Sequence, residues 1–151
     1  MTVRQRARPL LLLAAMFPTL VSAQPPPAED PRTAVDMPAL QRALMREDML
    51  DHLIALDEIL GDLSANQLNA AADVAEERLG LSSMGKHAAR TGGQGPGRFM
   101  PEAMRSIGIG MHRAASEFAN VARTGNRDAA YQALQPVVGA CVACHAGFRL
   151  R

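Results

Sequence analysis

The sequence predicts an all-α protein, an antiparallel four-helix bundle in up-down-up-down order. Three observations carry that expectation. Apolar residues recur at three- and four-residue steps in four separate stretches, the connections between them are mostly short, and no segment alternates with period two. A chain of 151 residues suits one domain.

The first stretch stands apart from that domain. Arg4, Arg6 and Arg8 precede an almost unbroken apolar run over 9–20, and Val21-Ser22-Ala23 ends in a small-x-small pattern. That order describes a cleavable secretory signal peptide over 1–23. About 12 apolar residues are too few for a transmembrane anchor, which needs roughly 20. Gln5 separates the arginines, so there is no twin-arginine signal and export is expected to be unfolded. Residues 24–35, with Pro25, Pro26, Pro27 and Pro31, read as a flexible, proline-rich lead-in. The domain proper is expected over 36–151.

The first helix is expected to open at Asp36-Met37-Pro38, with Asp36 as N-cap. Leu40, Leu44, Met45, Met49, Leu53, Leu56, Leu60 and Leu63 form its apolar stripe, broken near Gly61. A second, alanine-rich helix runs over about 64–79 and ends at Gly80, a natural C′ residue. Residues 81–99, with five glycines and a proline, read as a loop. A third helix opens at Pro101-Glu102, carries Met104, Ile107, Met111, Ala115, Phe118 and Val121 on one stripe, and stops at Gly125. A fourth starts near Asn126 and runs through Tyr131, Leu134, Val138, Cys141 and His145 to the end. Pro136 lies inside it and is expected to kink or tighten it.

The full chain has 16 basic and 15 acidic side chains; without Arg4, Arg6 and Arg8 the balance is 13 against 15, a net charge near −2. Nothing in that balance suggests a nucleic-acid partner. Tryptophan is absent, and a core of alanine, leucine and methionine leaves room for a large apolar cofactor.

Both cysteines sit in Cys141-Val142-Ala143-Cys144-His145. As a disulfide, so short a loop would give little stabilisation. On a helix, positions three and four apart share a face, so both thiols and the imidazole project together. Cys-x-x-Cys-His is the attachment pattern of c-type haem: two thioethers to the vinyl groups, and His145 as an iron ligand. A thioredoxin-like CxxC would follow a strand at a helix N-terminus. This one lies in the last turns of the last helix. A zinc site would need a fourth ligand from His52, His87 or His112, none at paired spacing.

The CxxCH is followed by Ala146-Gly147-Phe148-Arg149 and closes a four-helix chain of this length. It resembles the cytochrome c′ family, over 37–149. Leu134-Gln135-Pro136-Val137 is similar to the low-spin branch. The resemblance implies a left-handed four-helix bundle, frequently a homodimer, in the periplasm, with Arg149 close to the haem and His145. It also implies a division on the sixth ligand. High-spin members leave the distal side closed by an apolar side chain and bind nitric oxide or carbon monoxide; low-spin members place a first-helix methionine on the iron and carry electrons.

On the first helix Met45 and His52 lie only about 20° apart and Met49 about 40° from Met45, so angle does not choose between them. Height does. His145 lies about 9 Å from the chain's end, whereas Met45, Met49 and His52 lie about 13, 19 and 24 Å beyond Asp36 at 1.5 Å per residue. Met45 matches best, and Leu44-Met45-Arg46 resembles the ligand segment of low-spin relatives. A methionine on an apolar stripe is also ordinary core material.

The expected function is a periplasmic electron carrier, not an enzyme, working with a redox partner protein and with no membrane anchor after signal cleavage. The alternative is a five-coordinate gas-binding protein, with a haem-free thiol-disulfide protein as the third reading. Lys86, His87, Arg90 and Arg98 in the glycine-rich loop are expected near the propionates or the exposed haem edge, where they would bind the propionates or guide a negatively charged partner. A solvated loop is the plainer reading of the same residues.

Overall fold

The longest helix, α1 (Ala39–Ser64), begins later than the sequence suggests. The residue before a proline is sterically excluded from helical geometry. Met37 therefore cannot be a first helical residue, and Pro38, with φ −54° and ψ 150°, takes the N-cap position. Asp36 stays outside the helix, its carboxylate 3.9 Å from the Arg151 guanidinium.

The computed structural model describes residues 29–151. The leader at 1–23 and the prolines at 25–27 lie outside them. Within the unit Pro31–Arg151, α1 is followed by α2 (Leu68–Val74), which passes directly into a π-helical turn, Ala75–Leu79. A short helix α3 (Ala88–Thr91) sits between two 3₁₀ turns, Leu81–Ser83 and Pro96–Phe99. Two long helices follow, α4 (Glu102–Ala122) and α5 (Arg127–Gly147). The chain is an all-α protein, mostly helical.

Several breaks fall where backbone chemistry dictates rather than where glycine first appears. Gly61 is absorbed into α1, a tolerable cost of about 1 kcal/mol. The chain turns instead at Asn66, whose φ of 59° suits asparagine's tolerance of left-handed backbone. Gly80 is extended, not left-handed. It is glycine for another reason: a Cβ there would lie 2.6 Å from the Glu76 carboxylate and 2.8 Å from its carbonyl oxygen. Before α5, Gly125 (φ 81°) ends the preceding turn. Asn126 then caps the helix, its side-chain oxygen accepting from Ala129 N–H at 3.0 Å.

Helix α1 packs on α2, α2 and its π turn on α4, and α4 on α5. Their shared core is small-residue rich: Ala55, Ile59 and Leu63 of α1 meet Ala71, Ala72 and Leu79, with Phe118 fully buried among alanines of α4. The buried face of α1 is rotated from the expected stripe. Gln41, Leu44, Met45, His52, Ala55, Ile59 and Leu63 point inward, while Leu40, Leu53 and Leu60 are exposed. In α5 the rotation is by one residue, with Ala130, Leu134 and Val137 buried and Tyr131 and Val138 exposed.

The sequence suggested no strands, yet two short ones frame the helices. β1 (Thr33–Val35) precedes α1 and β2 (Phe148–Leu150) follows α5, pairing in parallel with Val35 opposite Leu150. Thus the last residues of the supposed flexible lead-in are ordered, and α5 stops at Gly147 instead of reaching the chain's end. The Arg42 guanidinium adds a bond to the Arg151 carbonyl at 2.6 Å. Together these bonds fasten the start of α1 to the end of α5.

Candidate functional site

Beside that fastening lies a second apolar cluster, distinct from the alanine-rich core. Val35, Met37, Met45 and Met104 are buried in it, with Met49, Phe99, Met100, Cys144, Phe148 and Leu150 packed against them. It borders a cavity of about 620 Å³, within the roughly 300–1,000 Å³ of small-molecule and cofactor sites. The walls come from α1, the segment between α2 and α4, α4 itself, and the end of α5 with β2. Six methionines and all four histidines of the chain line it.

Most of the residues singled out from the sequence meet here. Met45, Met49 and His52 from α1 share the cavity with Cys144, His145 and Arg149. Cys141 does not line it; half-buried one turn earlier, it packs against the alanine-rich core. The two thiols therefore straddle the boundary between the two clusters. Both are free, and burial pushes both above the ordinary thiol pKa, with Cys141 adding to the rise at Cys144. A reactive redox CxxC has the opposite property, a thiolate stabilised by its surroundings. His145 is exposed, and its backbone carbonyl accepts a bond from the Arg32 guanidinium at 3.5 Å.

On the α1 wall, Met45 is buried and Met49 half-buried. His52 is buried too, and burial holds its pKa down at about 4, so it is neutral near pH 7. Its ring meets that of His112 edge-on, centroids 6.1 Å apart. His112 is fixed by a 2.7 Å bond between Nδ1 and the Leu79 carbonyl. A carbonyl only accepts, so Nδ1 carries a proton. Sequence periodicity held no sign of this: Leu79 closes the π turn, and a π turn has no residue signature of its own.

The glycine-rich segment is strapped across the α1 wall by charge. Asp48 accepts from His87 Nε2 and from Lys86 Nζ, each at 2.8 Å, and Arg90 reaches Glu47 at 2.9 Å. Behind them Arg78, on the π turn, binds Asp51 and Glu58. The Arg78 hydrogen bond holds the Asp51 carboxyl below the ordinary carboxylate range. Gln41 adds an uncharged tie to the Gln94 carbonyl at 3.0 Å.

Three glycines on the cavity wall have no need to be glycine for the polypeptide's sake. Gly108 is inside α4, where glycine costs about 1 kcal/mol relative to alanine. Gly95 and Gly97 flank the buried Pro96. None of the three has positive φ, and a Cβ on any of them would meet nothing within 4 Å. Their missing side chains widen the cavity where it is lined by backbone.

These features suit a large, mostly apolar cofactor held by thiol and imidazole groups. A haem would fit the residues present: two thiols and an imidazole near the end of one helix, methionine thioethers on α1, and a mostly apolar, methionine-rich wall. Among the described residues no three histidine, cysteine or acidic side chains converge as a metal-ion site, so the zinc reading finds no ligand set. No helix among the described residues is long and apolar enough to cross a membrane. Comparison with models of known protein families, with curated proteins and with solved structures found no match.

Proposed function

We propose that this protein is a c-type cytochrome of the cytochrome c′ type, a four-helix bundle carrying one covalent haem and acting as a periplasmic electron carrier rather than an enzyme. One observation carries the reading: Cys144 and His145 of the CxxCH and Met45, from the other end of the domain, line the same cavity. The haem, when bound, supplies the one-electron couple. Cys141 and Cys144 would hold it to α5 as thioethers, and His145 would be a ligand of its iron.

Met45 would be the second protein ligand of the iron in this reading. It is the α1 methionine packed in the same apolar cluster as Cys144 and buried within it. A thioether ligand favours the ferrous state and raises the potential. The neutral His52 lies two turns further along α1 than Met45, about 10 Å at 1.5 Å per residue. Arg149 lines the cavity with His145 and would add positive charge near the bound group.

The visible spectrum of protein matured in a bacterial periplasm tests the reading. The expected result is a Soret band with sharp α and β bands on reduction. A five-coordinate high-spin ferrous spectrum would replace the electron carrier with the gas-binding protein. A colourless protein with alkylatable Cys141 and Cys144 would remove haem altogether.

A redox partner protein is one implied partner; a second copy of the chain is another. Helix α1 has an outer apolar face as well as an inner one: Leu50 is 61% and Leu53 66% exposed, with Ile54 and Leu60 beside them. Antiparallel pairing about the helix midpoint would set Leu50 against the partner's Leu53 and Arg46 against the partner's Asp57. Arg46 and Asp57 are exposed and make no ion pair among the described residues. By symmetry that ion pair would form twice, once at each end of the paired helices.

A further inference from the structure

The cavity wall contains more positive charge than the helices around it neutralise, and the surplus has a definite address. Of the four basic side chains in the glycine-rich segment, three are engaged by one acidic stripe on α1. Lys86 and His87 share Asp48, and Arg90 holds Glu47. Arg98 is the fourth. It is exposed and lines the cavity, and its guanidinium makes no ion pair or hydrogen bond among the described residues.

The local backbone favours a ligand at that place. Arg98 rides on the 3₁₀ turn Pro96–Phe99, pinned by the buried Pro96. Gly95 and Gly97 beside it line the cavity with open space where a Cβ would stand. Glycine at positions that ordinary residues could occupy is explained by close approach of a ligand to the backbone. An arginine fork binds a carboxylate through two parallel hydrogen bonds, a geometry that lysine lacks.

We propose that Arg98, presented by the Gly95-Pro96-Gly97 turn, binds a carboxylate of the cofactor, a haem propionate. The inference rests on the haem reading above. Lys86 and Arg90 serve instead as clasps between the glycine-rich segment and α1, and Arg98 holds the cofactor's acidic edge.

The test uses holoprotein matured in a periplasm and reads the propionate bending band by resonance Raman, together with the pH profile of the midpoint potential. Arg98→Gln is expected to move the band to lower frequency and to shift the propionate-linked break in the profile to higher pH. Arg98→Lys is expected to restore part of both effects, and Arg90→Gln to leave both at wild-type values. A normal Soret band with band and profile unchanged in Arg98→Gln overturns the assignment, as does an equal shift in Arg90→Gln. Wild-type protein without a Soret band removes the haem reading, and this assignment with it.

Discussion

Met45 on α1 and Cys144 on α5 belong to one apolar cluster, although they lie near opposite ends of the described chain. The parallel pairing of Val35 with Leu150 brings those ends together, and no local interaction within either helix would. The cavity is therefore a product of tertiary closure. Its α1 and α5 walls are brought side by side where the strand before α1 pairs with the strand after α5.

Replacing Met45 separates ligation from packing. Met45→Leu conserves volume, so the fold is expected to lose less than about 1.5 kcal/mol. The thioether is gone, and reduced holoprotein is expected to change from a low-spin to a high-spin visible spectrum. Met49→Leu is expected to keep the low-spin bands. A low-spin spectrum in Met45→Leu that matches wild type would take the distal role away from Met45.

His52 should make stability depend on acid. Its folded pKa of about 4 lies below its ordinary 6.5 because burial disfavours the charged ring. Between those values the unfolded chain binds a proton that the folded chain does not, so stability falls as pH drops from about 6.5 towards 4. The full effect is worth about 3 kcal/mol. Urea titrations across this window are expected to show the slope in the wild type and a flatter one in His52→Leu.

Asp48 is the centre of the clasp over the glycine-rich segment. Asp48→Asn keeps the shape but removes the charge that His87 and Lys86 share. We expect a global loss of about 1 kcal/mol, as for partly exposed ion pairs. Amide exchange over 84–94 should accelerate, while the middle of α4 stays protected. Uniform acceleration across both regions would show that the clasp is not a local device.

These expectations depend on how far sequence patterns reach. The four apolar stretches were legible because helices bury one stripe, and Met104, Met111, Ala115 and Phe118 of α4 are buried as read. Cys141, Cys144 and His145 stood out as a motif because they fall within five consecutive residues. The face of α1 was misjudged because that helix is apolar on both sides, so periodicity does not tell inside from outside. The strands escaped notice because three residues are too few for alternation to register. The π turn, and through it the anchoring of His112 on Leu79, depends on packing against α4 and carries no local signal. Arg98 looked equivalent to Lys86, His87 and Arg90 until the acidic partners of those three were located on α1.

The outer face of α1 supplies the last prediction. A helix that has already buried Leu44, Ile59 and Leu63 gains nothing within its own domain from Leu50, Leu53, Ile54 and Leu60 in solvent. Contiguous apolar surface of this kind marks an interaction site. Paired antiparallel with a second α1, the face would bury leucine against leucine at its centre, with Arg46 and the partner's Asp57 at its rim. Leu53→Glu is expected to convert a dimer to a monomer in sedimentation equilibrium without altering helix content, because Leu53 is in no buried cluster. Asp57→Arg should weaken the dimer by setting like charges together, and adding Arg46→Asp should restore it. A wild-type chain that stays monomeric at high micromolar concentration would leave this face to the redox partner instead.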